Sequence, residues 1–203
     1  MKNFAALLFA LFFVGVAHGQ APQAPIDGVD ARSNPEEFAK LLGSADANVR
    51  RRSAEALAQL AATDQRKLVE GYQLQETNKE VRLALHWALY RMGRAEMLYR
   101  VVEDLDSGRQ EQAIGYLTQL ETPDLLHPFL KKRINAPRIN AGLLKALAQI
   151  GDANTLELVK PFRESHQPYV AEAAEIAHDE IEKRLGETTT SETRTRPRSV
   201  GRP

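Results

Sequence analysis

The side chains able to do chemistry are few, and their spacing argues against a reactive centre. None of the 203 residues is cysteine, which excludes a thiolate zinc site, a cysteine nucleophile, a disulfide framework and a cysteine-borne lipid anchor. The chain lacks G-x-S-x-G, the P-loop, G-x-G-x-x-G and H-E-x-x-H, the short motifs that place a nucleophile, a phosphate or a catalytic zinc. Beyond the first nineteen residues four histidines remain, His86, His127, His166 and His178. They fall in four different segments at positions that do not correspond. A metal site needs three or four ligands converging on a point about 2 Å away, so no metal and no cofactor is expected. His86 reads as a packed imidazole with a backbone partner. Carboxylate pairs such as Glu36-Glu37 and Asp179-Glu180 are adjacent in sequence and point to different helix faces, unlike a working acid and base.

Charge excludes a further class. Lys+Arg and Asp+Glu are 27 each, whereas a protein that neutralises phosphates carries a basic excess concentrated somewhere, so nucleic acid is not an expected partner. With 43% hydrophobic residues and only 12 Gly and 10 Pro, the chain has the composition of a folded domain, neither collagen-like nor extended low complexity.

The N-terminus reads as an address. Lys2 is the only charge before the apolar run Phe4 to Val16, which is followed by Ala17-His18-Gly19. That run is shorter than the roughly 20 residues that span a bilayer, and small residues sit where a signal peptidase needs them. Residues 1–19 are therefore expected to be a secretory signal peptide, and the protein to be exported to a bacterial periplasm or exterior without stable membrane insertion after cleavage. An uncleaved anchor is the alternative, although no positive cluster follows the run to hold it. Residues 20–33, rich in Ala, Pro and Gln, read as a linker.

From Asn34 apolar residues recur at helical spacing to about Leu185, and nothing alternates with period two for long enough to make a strand. The body is expected to be all-α. Five segments align on the apolar residues that end them, Leu60, Met92, Leu120, Ile150 and Ile181, with spacings of 32, 28, 30 and 31. Between them lie partner helices, so each repeat is a helical hairpin. Pro128 and Pro161 should start or kink two of these partners. The repeat domain is bounded at 34–186, and residues 187–203, with four arginines from Arg194 to Arg202, are expected to be a disordered basic tail offering at most a weak contact to an anionic surface.

Asp46, Val49, Arg50, Ala54, Ala56, Leu57 and Leu60 in the first repeat, Val81, Arg82, Ala88, Leu89, Met92 and Gly93 in the second, and Ile139, Ala146, Leu147, Ile150, Gly151 and Asp152 in the fourth carry a pattern that resembles HEAT repeats of the short, roughly 30-residue type. The resemblance covers about residues 34 to 185 and implies an α-solenoid of armadillo/HEAT type with about five hairpins. The third repeat departs from the pattern at Arg109. The fifth departs at Glu175 and His178, where small residues or leucine are expected, as suits the polar outer face of a terminal repeat. In proteins of this kind the basic residue after the valine meets an acidic or amide side chain of an adjacent repeat, so Arg50 and Arg82 are expected in a structural ladder with Asp46, Asn78 and Asp106.

The resemblance also implies that the second helices line a concave face. Counting from the valine position, offsets 3, 6 and 10 are left for solvent, and Trp87, the only tryptophan, falls at one of them, with Gly115 and Gly142 in the next two repeats. One expectation is a shallow hollow beside Trp87, rimmed by Arg91, Gln119, Lys145 and Gln149, that binds a protein or peptide as an interface hot spot. The other is that Trp87 is folded between adjacent repeats. The functional expectation is a non-catalytic binding module or scaffold. Its rivals are an enzyme or enzyme subunit resembling HEAT-like bilin lyases, and a structural cell-envelope component.

Overall fold

The structure, a computed structural model, describes residues 34–132 and 136–195, with side chains as far as residue 187. The expected signal peptide (1–19), the expected linker (20–33) and the basic stretch after 195 lie outside the described residues. The fold is all-α: ten α-helices and three short 3-10 turns, with no strand among the described residues. The helices are α1 (Pro35–Leu41), α2 (Ala47–Gln59), α3 (Arg66–Gln75), α4 (Lys79–Arg91), α5 (Met97–Glu103), α6 (Gln110–Leu117), α7 (His127–Lys132), α8 (Pro137–Ile150), α9 (Ala153–Arg163) and α10 (Pro168–Thr195). None of them is long and apolar enough to cross a membrane.

Helix starts follow local chemistry. The Asn34 side chain accepts from the Glu36 amide at 3.0 Å with Pro35 as the next residue, Asp46 accepts from Asn48 at 2.8 Å, and Asn78 accepts from Glu80 and Val81 at 3.0 and 3.1 Å. Each supplies an oxygen to amides that have no carbonyl one turn back. Pro128 is the second residue of α7 and Pro161 lies inside α9.

The ends of α2 and α4 share one solution. Arg94 N–H bonds to Leu89 O and Gly93 N–H to Tyr90 O, both at 2.9 Å, with Gly93 at φ +94°. Just past the end of the equivalent helix α2, Ala62 N–H bonds to Leu57 O and Ala61 N–H to Ala58 O, with Ala61 at φ +45°. Both are left-handed helix stops of the Schellman type, but an alanine occupies the first, where its Cβ is strained.

The even-numbered helices touch in succession, α2 on α4, α4 on α6, α6 on α8 and α8 on α10, while α1, α3, α5, α7 and α9 pack against them. One continuous apolar core runs from Leu42 to Ala177. Helix α4 is its centre. With α2, α3, α5 and α6 around it, it buries Val81, Leu83, Ala84, Leu85, Trp87, Ala88 and Leu89, as a helix surrounded by neighbours must.

Two expectations need correction. Helix α10 runs on to Thr195, nine residues into the segment expected to be a disordered tail. Gly186 does not stop it, because a helix already nucleated by packing on α8 and α9 propagates at small cost per residue, and the next proline is Pro197. Arg184 helps hold this end, donating to Ala148 O at 3.0 Å and Gly151 O at 2.8 Å. The arginine ladder also has a different partner. Arg50 grips Glu76 through Nε and Nη2 at 2.8 and 3.0 Å and donates to Ser44 O and Ala45 O, whereas Asp46 and Asn78 are occupied as helix caps. Glu76, one residue past the end of α3, also accepts from the Asn78 amide at 2.8 Å, so it reaches Arg50 without giving up its turn. Arg82 makes no such pair among the described residues, and Asp106 faces Arg138 at 3.4 Å. Arg109, where the sequence pattern would have a valine, donates to Asp104.

Two outcomes follow. Ala61→Gly should stabilise the protein by about 0.5–1 kcal/mol in denaturant unfolding, because the left-handed strain is relieved and only part of the gain is offset by a looser unfolded chain. The Glu76 carboxylate, largely shielded and bonded to Arg50, is held below its ordinary value of 4.5. Its contribution is therefore complete above that value and is lost as pH falls through the lower folded value. Glu76→Gln should cost about 2 kcal/mol near neutral pH, and unfolding of parent and variant at a series of pH values should show the gap narrowing in acid.

Candidate functional site

Trp87 is the first sequence-predicted site residue to place, and it is not exposed. Its relative exposure is 2%. Tyr116 of α6 lies parallel to the indole, with ring centroids 5.6 Å apart and an interplanar angle of 3°, and Tyr90 flanks it at 5.3 Å. The Arg91 guanidinium carbon stands 5.9 Å from the indole centroid, within cation–π range. The Tyr116 hydroxyl donates to Glu55 Oε1 at 2.7 Å, across to α2, and accepts from Gln112 Nε2 at 2.8 Å. Arg51 holds the same Glu55 oxygen at 2.8 Å. Burial, and secondarily the Glu55 charge, push the Tyr116 phenol well above its usual value, so it stays neutral and donating. Tyr116 thus closes the even-helix face over α4 by bridging α2 and α6, and the expected hollow beside Trp87 is filled.

The two glycines do not open that hollow together. A Cβ on Gly142 would come within 2.8 Å of the Leu105 side chain, so this glycine admits Leu105 to the core. Gly115 does border open space, and its carbonyl accepts from Gln119 Nε2 at 2.8 Å, which folds Gln119 back on its own helix. Gln149 and Lys145 are exposed on α8. The five expected binding residues are therefore not one cluster: Arg91 covers Trp87, Gln119 caps its own turn, and only Lys145 faces a depression.

That depression is a groove of about 540 Å³ between α8 and α10, closed at one end by Gln110 at the start of α6. Arg138 and Lys145 stand two turns apart on the α8 side. On the α10 side Tyr169 and Ile176 are likewise two turns apart, with Glu172 between them, and Ala141 and Ala173 form the floor. The spacing follows from helix geometry, since residues seven apart return to one face. Tyr169 and Ile176 are 43% and 52% exposed, large apolar side chains left uncovered beside small ones. Lys145 and Arg138 meet Glu111 and Asp106 only loosely, at 3.4 Å each, pairs of little energetic weight at such exposure. Gln110 Nε2 donates to Leu105 O and Arg138 O at 2.9 and 3.2 Å, which ties the start of α6 to the start of α8. The α10 wall escaped the sequence reading because Ile176 was one outward position among many and Tyr169 precedes the repeat motif. The one available signal was a bulky apolar residue at a position left for solvent.

The histidines have separate surroundings. His86 Nε2 lies 3.3 Å from Gln73 Nε2, a side-chain amide where a backbone partner was expected, and burial lowers its basicity. His127 joins Asp124 through Nδ1 at 3.2 Å and Thr155 Oγ1 through Nε2 at 3.0 Å. Carboxylate, imidazole and hydroxyl in that order are the parts of an activated nucleophile. Here, however, Thr155 is fully buried, and its hydroxyl donates to Asp152 Oδ1 at 2.8 Å while accepting from the Asp152 amide at 3.1 Å. The hydroxyl proton is committed to the capping box of α9, so Nε2–H donates and the trio joins α7 to α9 as a structural tie. Burial opposes ionisation of Asp152, but the Thr155 bonds outweigh it and hold the carboxyl below its ordinary value. His178 lies on α10 beside Asp179 and Glu182, with Nδ1 3.6 and 3.7 Å from their carboxylate oxygens.

Trp87 emission reads this arrangement directly. The parent should emit at short wavelength and resist acrylamide quenching. Tyr116→Ala should shift the emission to the red, raise quenching and destabilise by about 3 kcal/mol, as expected for a buried aromatic, whereas Tyr116→Phe should cost about 1 kcal/mol and leave the emission nearly unchanged.

No protein-family model matches the chain, and no curated protein matches it. Among solved structures, the crystal structure of an engineered protein is similar at 21% identity over 73% of this chain and 79% of that chain, with a TM-score of 0.30, a likeness that carries no argument about fold or function.

Proposed function

We propose that the chain is an exported, HEAT-like α-solenoid that acts as a non-catalytic binding module or scaffold and grips a protein or peptide partner on the face made by its even-numbered helices. The observation that carries the reading is the α8–α10 groove, where Tyr169 and Ile176 stand exposed beside an alanine floor. Its volume falls in the range of roughly 300–1,000 Å³ over which clefts hold ligand groups, and exposed aromatic and aliphatic side chains beside an arginine have the composition of binding anchors. Binding to a preformed helical surface orders little protein, so little of the contact energy is lost to ordering. Export rests on the N-terminal pattern of Lys2, the Phe4–Val16 run and Ala17-His18-Gly19. The repeat assignment rests on the spacing of Leu60, Met92, Leu120, Ile150 and Ile181 together with the successive contacts of the even-numbered helices. The groove lies toward the C-terminal end of that face, away from Trp87.

The test is affinity capture from a periplasmic extract with residues 20–203, run in parallel with Ile176→Glu, Lys145→Glu and Arg52→Glu. A specific partner should be retained by the parent and by Arg52→Glu, and lost with Ile176→Glu, whose anchor is worth about 2 kcal/mol or more. Equal capture by the parent and the two groove variants would remove the groove from the proposal.

A further inference from the structure

We infer that His178, Asp179 and Glu182 form a site for one divalent transition-metal ion of the zinc type on the last helix. The argument begins with an unsatisfied nitrogen. His178 Nδ1 is sealed from solvent and has no hydrogen-bond partner, in a side chain only 12% exposed. It lies between Asp179 Oδ1 at 3.6 Å and Glu182 Oε2 at 3.7 Å, both beyond the roughly 3.2 Å limit of a good N–H···O bond. One imidazole nitrogen has a single N–H or a single lone pair, so it cannot serve two carboxylates. A cation among the three atoms would satisfy all of them at once.

The distances fit that occupant. Two ligand atoms each about 2.1 Å from zinc at the tetrahedral angle lie about 3.4 Å apart, so the two nitrogen–oxygen separations must close by only a few tenths of an ångström. All three ligand atoms already lie within 4.8 Å of one another, and the two carboxylates are exposed and free to swing. The scaffold is rigid: His178 and Glu182 are one helical turn apart, and α10 is packed on α8 and α9 along this stretch. The ligand set of one imidazole and two carboxylates suits zinc and its neighbours better than calcium or magnesium, which take oxygen ligands almost exclusively.

Position in the sequence points the same way. His178 stands where the four earlier segments carry Leu57, Leu89, Leu117 and Leu147, and Glu175 where they carry Ala54, His86, Ile114 and Leu144. Glu175 is explained by Arg163 of α9, which it holds through two bonds at 2.5 and 2.8 Å; His178 has no comparable partner. Arg163 is the cation that opposes a metal here, because its field reaches Asp179 and Glu182. The Glu175 carboxylate offsets it, and the residual repulsion favours an ion that bonds strongly to nitrogen over one held by charge alone. Three protein ligands leave the fourth position of a tetrahedral ion to water.

Calorimetric titration of the full chain with zinc chloride should show one equivalent bound, with a rise in melting temperature because the folded state alone presents the ligands together. His178→Ala, Asp179→Asn and Glu182→Gln should each weaken binding by more than about tenfold, a loss that even an outer-shell partner can cause. Glu180→Gln, on the same helix outside the cluster, should leave it unchanged. Copper(II) bound in place of zinc should show nitrogen hyperfine splitting that disappears in His178→Ala. Absence of saturable zinc binding below about 100 µM, binding by His178→Ala equal to the parent, or an equal loss in Glu180→Gln would each overturn the site. Should His178→Ala fail to fold by circular dichroism, Glu182→Gln, whose side chain is exposed, decides alone.

Discussion

The packing of the first six helices depends on the burial of α4. Helices α2, α3 and α5 each meet it more than any other element, α6 covers it through Tyr116, and it offers Leu83, Leu85, Trp87 and Leu89 in directions that together surround the helix axis. No disulfide reinforces this centre, because the chain has no cysteine. Apolar transfer at about 25 cal/mol per Å² and close packing must therefore hold the helices together. Trp87 shows how one residue takes part in several contacts. Tyr116 and Tyr90 both stack on the indole and the Arg91 guanidinium lies over the ring, so removing any neighbour exposes part of the centre to water. Tyr116 in turn reaches Glu55, which makes the lid over α4 a direct connection between two helices that are not adjacent in sequence.

Polar groups fix how the helices meet. Apolar packing tolerates sliding, whereas a bidentate guanidinium–carboxylate pair has one geometry. Arg50 and Glu76 join the start of α2 to the end of α3, with Ser44 O and Ala45 O accepting from the two Nη1 donors. His127, Thr155 and Asp152 do the same between α7 and α9, and Arg184 does so between α10 and the end of α8. Each of these ties meets backbone groups at a helix terminus, where carbonyls and amides have no partner of their own. The orienting contacts and the capping contacts are therefore largely the same atoms.

How much of this was legible in the sequence depended on the range of the interaction. The helices and their apolar faces follow from local periodicity, and the caps at Asp46 and Asn78 follow from residue type and place. The burial of Trp87 does not, because it is decided by Tyr116, twenty-nine residues on, which is long enough to cover the neighbouring helix. The same holds for Gly142, whose missing Cβ accommodates Leu105 from a preceding segment. A rule that assigns faces from offsets treats every helix as having the same neighbours, and it failed at Ala84 and Trp87 on α4, at Gly142 on α8 and at Ala173 on α10, all of them buried, while Lys145, Gln149 and Glu180 are exposed as expected. Arg50 was correctly singled out, but its partner was sought at the matching positions Asp46 and Asn78. Glu76 stands outside the motif, at a loop position with no periodic signature. The length of α10 was missed for a related reason: a polar composition signals disorder only when no packed helix precedes it.

The distribution of uncovered chemistry follows from the same packing. Inside a stack, each helix spends its apolar residues on two sides, and a charged side chain facing a neighbour must be paired or excluded. Helix α10, the last among the described residues, meets α8 on one side and α9 on another. Near its start it carries Tyr169, Glu172 and Ile176 along the α8 groove, and farther along it carries Glu175, His178 and Glu182 on a different face. Exposing Ile176 forgoes burial worth about 2 kcal/mol, and enclosing His178 Nδ1 without a partner costs a similar amount. The α4 region could not absorb either loss without loosening all of its neighbours, whereas at α10 only two helices are affected. Departures from good packing are tolerable on α10, the last helix among the described residues, and both uncovered features occur there.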